Sequence, residues 1–208
     1  MNSENQMNAK DYFDNAAETW DSNFQTLKLF SFLEKLVPQF SLHAGQHVLD
    51  VGTGTGVLIP YLIKSVGPSG SVTALDFSEK MIQKCKLKYS RIQNVTIKVG
   101  SIEDADFPAE LFDAVICFGA FPHIDCKDRA LLNICRILKP GGKLFIAHAL
   151  SSEELKLHHR KVSEHIAESE LPERSEMTKL LKQTGFVRPS IKDEPGCYLC
   201  IANKPCKP

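Results

Sequence analysis

Two groups of residues in this chain are spaced to do chemistry: an acid and glycines bunched after position 49, and histidines spread from 123 to 165. In Asp50-Val51-Gly52-Thr53-Gly54-Thr55-Gly56 an apolar run ends in three glycines at alternate positions. Glycine is demanded where φ must be positive, or where a ligand lies against the backbone with no Cβ in the way. Asp76 closes a second apolar run, Ser71-Val72-Thr73-Ala74-Leu75, and a carboxylate there can accept two hydrogen bonds from ribose hydroxyls. Together these runs point to a nucleoside-containing ligand. A dinucleotide fingerprint would need glycine at 57, where Val57 stands, and a phosphate-binding loop would need Gly-Lys-Ser/Thr after its glycines, which is missing. The imidazoles of His123, His148, His158, His159 and His165 are the chain's resource for moving a proton near neutral pH.

The elements that must position these residues alternate. β-branched or apolar runs predict strands at about 47–51, 71–75, 94–99, 112–117, 143–148, 186–192 and 197–203. Amphipathic stretches predict helices near 9–20, 24–37, 56–66, 78–90, 126–138, 152–169 and 173–184. Such alternation is the sequence mark of βαβ units and a parallel sheet. Ser78 suits the N-cap of the helix that follows it, and Gly185 the left-handed residue that ends one. Lys204 to Pro208 is expected to fray.

The order Asp50-x-Gly52-x-Gly54-x-Gly56, with Asp76 ending the next strand, resembles the class I S-adenosylmethionine-dependent methyltransferases. Phe112-Asp113-Ala114-Val115-Ile116-Cys117 matches that family's fourth strand, Ala130 to Leu138 the helix after it, and Lys139-Pro140-Gly141-Gly142-Lys143-Leu144 its turn and fifth strand. The opening Tyr12-Phe13-Asp14-Asn15-Ala16-Ala17-Glu18-Thr19-Trp20-Asp21 is similar to the N-terminal segment of the small-molecule branch that includes ubiquinone and menaquinone biosynthesis enzymes. The ordered matches run over about the first 150 positions.

The resemblance implies an α/β fold, a doubly wound, seven-stranded and mostly parallel sheet of Rossmann-like type. It implies a helical lid at 1–40 and a methyltransferase domain at 41–208, together one structural domain, with S-adenosylmethionine as cofactor. Gly52, Thr53, Gly54 and Gly56 would lie against the methionine and ribose portions, with Asp50 supporting that loop. Asp76 would take the ribose diol, and Phe77 and Met81 would pack near adenine. Relatives carry Gly-Asp-Ala where this chain has Gly100-Ser101-Ile102, so the Ser101 hydroxyl, Glu103 or Asp104 must stand in for the missing aspartate. Cys117 opens the loop that in this family passes between donor and acceptor, and Tyr12, with Phe13 and Trp20, belongs to the lid.

The acceptor is expected to be a small molecule, methylated by in-line displacement on a site that holds the partners aligned and dry. His123 is the candidate base, the competing reading being a histidine that only hydrogen-bonds its loop. His123, His148 and one of His158 or His159 are expected to converge on the acceptor pocket, giving His123, His148 and His159 as catalytic candidates. His159 is offset from the shared face of His158 and His165 by about 100°. The alternative is that Lys156-Leu157-His158-His159-Arg160-Lys161 is a solvated basic face. The histidines and acids of the insert between strands five and six favour a polar acceptor over a long isoprenoid.

Composition narrows the classes. With 208 residues, 43% hydrophobic, and 25 basic against 25 acidic side chains, the chain suits one globular domain with no global field to attract nucleic acid. No stretch approaches the roughly 20 apolar residues of a membrane span, and a cytoplasmic monomer or homodimer is expected. The seven cysteines are odd in number and scattered, so reduced thiols are expected. Cys197 and Cys200 sit i, i+3 on a strand and point to opposite faces, so no metal site is expected from them. A protein or nucleic-acid methyltransferase, a nicotinamide-dependent oxidoreductase and a cofactor-binding protein without turnover are the rival classes.

Overall fold

A computed structural model of the chain describes residues 9–24, 26–162 and 166–207. Seven strands form one sheet in the order β3-β2-β1-β4-β5-β7-β6. They are β1 (His47–Val51), β2 (Ser71–Asp76), β3 (Val95–Val99), β4 (Phe112–Phe118), β5 (Leu138–His148), β6 (Val187–Glu194) and β7 (Cys197–Asn203). Pairing is parallel from β3 through β5, whereas β7 runs antiparallel to both β5 and β6. The central strands are sealed on both faces, which is why they read as continuous apolar runs: Val48, Leu49, Val115, Ile116 and Ile146 are fully buried. The doubly wound, mostly parallel architecture expected from the alternating pattern is the one observed.

The helices are α1 (Ala9–Ala16), α2 (Trp20–Phe24), α3 (Leu27–Leu36), α4 (Ile59–Val66), α5 (Glu79–Tyr89), α6 (Lys127–Ile137), α7 (Ser152–Val162) and α8 (Arg174–Gln183). Ser78 caps α5 by accepting from Met81 N, and Gly185, at φ +96°, closes the turn after α8. None of the helices in the described residues is long and apolar enough to cross a membrane.

Several boundaries differ from the sequence expectation, each for a local reason. The helix expected at 9–20 is broken: Thr19 N reaches only back to Ala16 O, and the chain restarts as α2, which turns Trp20 toward Phe13. The helix expected from 56 begins at Ile59, because Gly56 takes φ +91°, outside the helical region. β5 starts at Leu138, well before the expected 143, since Leu138 pairs with Phe112 and a register shift absorbs the Gly141-Gly142 turn. α7 ends at Val162 rather than 169, with a turn at 166–168; His165 lies outside the described residues. The tail is not frayed as far as Lys207. Lys204 N donates to Gly142 O, Lys204 Nζ to Leu138 O, and Lys207 Nζ to Glu110.

Candidate functional site

Parallel strands leave a crevice beyond their carboxyl ends, and ligands of open α/β sheets bind there. β2, β1, β4 and β5 end side by side at such a crevice, a cavity of about 670 Å³. Asp76 at the end of β2 and His148 at the end of β5 both line it. Three strand spacings separate them, roughly 14 Å at ~4.8 Å per spacing.

On the β1–β2 side the loop after β1 is held by its own acids. Asp50, 1% exposed, accepts from Thr53 Oγ1 at 2.7 Å. Asp76 accepts from Gly54 N and Ser78 N, each at 2.8 Å. Each Asp76 oxygen retains acceptor capacity after its one amide bond. Burial pushes the Asp50 carboxyl up to about 7, against the Thr53 hydroxyl and with help from the Asp76 charge. Burial likewise lifts Asp76 to about 6, opposed by the amides of Ser78 and Gly54.

The glycines divide by task. Gly52, at φ +68°, lies so near the loop after β4 that an added Cβ would sit 2.2 Å from Ala120 Cβ. At Gly56 an added Cβ would strike the Tyr89 ring at 2.6 Å. Gly52, Thr53 and Gly54 line the cavity; Gly56 does not, and instead seats α5 against the loop.

On the β4–β5 side stand the histidines. His123, in the short helical turn after β4, has its ring centroid 4.9 Å from that of His159 on α7. His159 is 6.2 Å from His158. All three, with His148, line the cavity, so the expected convergence is met and both members of the His158/His159 pair are present. Burial, reinforced by the neighbouring imidazoles, lowers His123 to about 3, and burial with His159 does the same for His148. Groups so hard to protonate are poor stores for a proton near neutral pH. His159 is lowered by burial too, but its Nδ1 lies 2.6 Å from Ser169 O, a contact that opposes the shift. His123 Nδ1, His148 Nε2 and Tyr198 Oη are buried with no hydrogen-bond partner among the described residues.

The N-terminal helices close the front. Tyr12, Phe13 and Trp20 line the cavity with Phe77 and Met81, and Phe13 meets both Phe77 and His123 edge-on. Asp14 accepts from Ser78 Oγ at 2.5 Å and Lys80 N at 3.2 Å, tying α1 to the start of α5. Glu18 pairs with Lys84, and Asp21 with Lys88 and Thr55 Oγ1.

Besides Gly56, three expected residues, Ser101, Ile102 and Cys117, are not brought to the cavity. Ser101 Oγ donates to Glu103 Oε2, Glu103 Oε1 accepts from Cys126 N, and neither residue lines the cavity. Ile102 and Cys117 are buried in the hydrophobic core behind the strands. The sequence places the acceptor pocket among the N-terminal helices, the loop 118–125 and the segment 149–175, and the apolar wall of Leu29, Phe32, Phe118, Leu150, Leu155 and Ile166 lies in those regions, although none of these six side chains stood out individually. Its only signal was the apolar periodicity of α3 and α7, indistinguishable from packing. Gly196, between β6 and β7, also reaches the cavity and carried no signal.

A doubly wound sheet of this order, with a glycine turn and an acid at the ends of its first two strands, defines a Rossmann-like methyltransferase architecture. The comparisons agree. Residues 42–187 match the methyltransferase domain family, and the chain belongs to it. It is 30% identical over 152 residues to a demethylmenaquinone methyltransferase of Symbiobacterium thermophilum, covering 70% of this chain and 61% of that one. It is 37% identical over 108 residues to a ubiquinone/menaquinone biosynthesis C-methyltransferase of Bordetella parapertussis, covering 51% and 42%. The chain thus spans about half of the curated relatives it matches. Among solved structures, a SAM-dependent methyltransferase from Aquifex aeolicus superposes with TM-score 0.74 at 26% identity, over 91% of this chain and 97% of that one. A phosphoethanolamine N-methyltransferase from Haemonchus contortus, at 18% identity and TM-score 0.75 over 93% of this chain and 58% of that one, shares the fold.

Proposed function

We propose that the chain is an S-adenosylmethionine-dependent methyltransferase acting on a small molecule, with α1 and α2, part of the lid expected at 1–40, closing over the domain at 41–208; residues 1–8 and 25 of that stretch lie outside the described residues. The observation that carries this reading is one continuous cavity that joins the Gly52–Gly54 loop and Asp76 to the histidines at the other side of the sheet. The residues present fit the cofactor. Asp76 has acceptor capacity left for a diol, and Phe77 and Met81 give an apolar bed for a base. Tyr12, Phe13 and Trp20 offer π-faces to a sulfonium cation. Asp50 holds the loop through Thr53 and also lines the cavity.

When bound, the cofactor supplies a methyl group already activated by the positive charge on sulfur. The protein's part is orientation and exclusion of water. The lid, fastened by Asp14, Glu18 and Asp21 to α5 and the glycine loop, keeps the cavity dry. The loop after β4, carrying Gly119, Ala120 and His123, forms the floor between the two sides. The wall of Leu29, Phe32, Phe118, Leu150, Leu155 and Ile166 suits an acceptor with an apolar body whose reacting group faces the histidines. That reverses the sequence-based preference for a polar acceptor, and it agrees with the quinone chemistry named for the curated relatives.

Calorimetry with S-adenosylmethionine, S-adenosylhomocysteine and NAD tests the cofactor. Binding of the first two without NAD is expected, and binding of NAD alone overturns the assignment. Transfer of labelled methyl from S-adenosylmethionine to a small-molecule panel then separates an enzyme from a cofactor-binding protein without turnover.

A further inference from the structure

We infer that His159 is the residue that takes the proton from the methyl acceptor, its ring held in one tautomer by the Ser169 carbonyl, and hence that the acceptor presents a neutral, proton-bearing group rather than an anion. The inference rests on the methyltransferase reading and deepens it.

A carbonyl oxygen only accepts, so the 2.6 Å contact from His159 Nδ1 to Ser169 O places the proton on Nδ1. In the neutral ring Nε2 then carries the lone pair, and His159 lines the cavity. A carbonyl on the far nitrogen also stabilises the imidazolium that forms when Nε2 takes a proton, the arrangement by which a second group orients a catalytic histidine.

The other two histidines lack that support. His123 Nδ1 and His148 Nε2 have no partner among the described residues, and burial holds both rings neutral. They can donate or accept hydrogen bonds to orient an acceptor but are poor stores for a proton. His159 differs further in what faces it. Glu170 favours its charged form, and is itself paired with Lys156 at 2.8 Å and Arg160 at 3.5 Å. His158, His123 and His148 oppose that charge. The half-buried His158, 6.2 Å away by ring centroid, gives the proton a way toward solvent.

Among the described residues, the cations on α7 and beside the loop after β4 are already engaged, and the one lysine that lines the cavity is exposed. Lys127 Nζ is bonded to the carbonyls of Pro122 and Ile124, Lys156 and Arg160 are paired with Glu170, and Lys28, which lines the cavity, is exposed on α3. The balance follows. The acceptor's electron pair forms the new bond to carbon, the carbon–sulfur pair leaves on sulfur, and the acceptor's proton moves to His159 Nε2, which later releases it to water.

The test uses protein labelled with 15N-imidazole histidine and saturated with S-adenosylhomocysteine. NMR is expected to show His159 protonated on Nδ1 and titrating above His123 and His148. An Nε2-protonated ring, or a His159 that titrates below the other two, overturns the inference without touching the methyltransferase reading. In parallel, His159→Gln is expected to cut turnover of 1,4-naphthalenediol by about 100-fold and to remove the acidic limb of the pH profile, while the S-adenosylmethionine Kd stays within about two-fold. An unchanged limb overturns the inference, as does faster methylation of 1-naphthoate, an anion on the same ring system. Failure of the wild-type protein to bind S-adenosylmethionine overturns the parent reading instead.

Discussion

Gly52→Ala isolates the tightest backbone approach at the site. The residue sits at φ +68°, and a Cβ there would lie 2.2 Å from Ala120 Cβ and 3.5 Å from Ala120 Cα. Two costs add. Forcing a residue with a Cβ into the left-handed region costs about 1–2 kcal/mol. Opening the carbon pair to an ordinary ~3.5 Å contact moves one loop by more than an ångström, an overpacking cost of about 1–3 kcal/mol. The total, roughly 2–5 kcal/mol, can be split experimentally. Gly119→Ala is the control for strain alone, because Gly119 has φ +70° but nothing within 4 Å of the added Cβ; it should cost only about 1–2 kcal/mol. Ala120→Gly in the Gly52→Ala background removes the colliding methyl, so the double variant should recover about 1–3 kcal/mol and keep the conformational part. Urea unfolding gives the stabilities and calorimetry the S-adenosylmethionine Kd, which should weaken in Gly52→Ala and improve in the double variant. If Gly52→Ala is no worse than Gly119→Ala, or if Ala120→Gly restores nothing, the two loops are not in the contact described.

Three further outcomes follow from the same geometry. Asp14→Ala removes the acceptor of Ser78 Oγ and Lys80 N that fastens the lid; losing about 1–2 kcal/mol should raise the cofactor Kd by roughly 5- to 30-fold, and an unchanged Kd would show that the lid does not bear on binding. Asp76→Asn keeps one oxygen for two amides that now take one each; it should cost about 1–3 kcal/mol in urea unfolding and weaken S-adenosylmethionine in calorimetry, with unaltered affinity refuting the ribose contact. Burial holds His148 at about 3 against an ordinary 6.5, so below pH ~6.5 only the unfolded chain gains its proton and stability falls with pH by up to about 1.4 kcal/mol per unit until the folded value is reached. The raised carboxyls of Asp50 and Asp76 lean the other way, favouring the folded state as pH falls from about 7 toward 4. The difference between His148→Phe and wild type therefore isolates the histidine: the variant should gain on wild type as pH falls from about 6.5 to 4, and a flat difference would refute a buried neutral imidazole.

What could be read from the chain was whatever the backbone demands locally. Gly52 and Gly54 had to be glycine for conformational reasons, Asp76 had to end a strand, and Ser78 had to cap a helix, so this side of the site was legible before any coordinates. Gly56 lies off the cavity: a demand for glycine does not say whether a ligand or the ring of Tyr89 is the close neighbour. Ser101 is a similar case: its place after β3 follows from topology, but its commitment to Glu103 depends on where the chain entering α6 brings Cys126. The acceptor side was legible only as a list of histidines. Their convergence followed from strand-end topology, yet the order among them did not, since it depends on long-range burial and on one carbonyl. His123 sits in the floor loop itself and looked the better base in sequence. Burial leaves it a poor store for a proton, whereas Ser169, ten positions along the chain from His159, supplies the only hydrogen bond to an imidazole of this cluster among the described residues. Chemistry at such a site is set less by which residue reaches the cavity than by what stands behind it, a partner that no local pattern encodes.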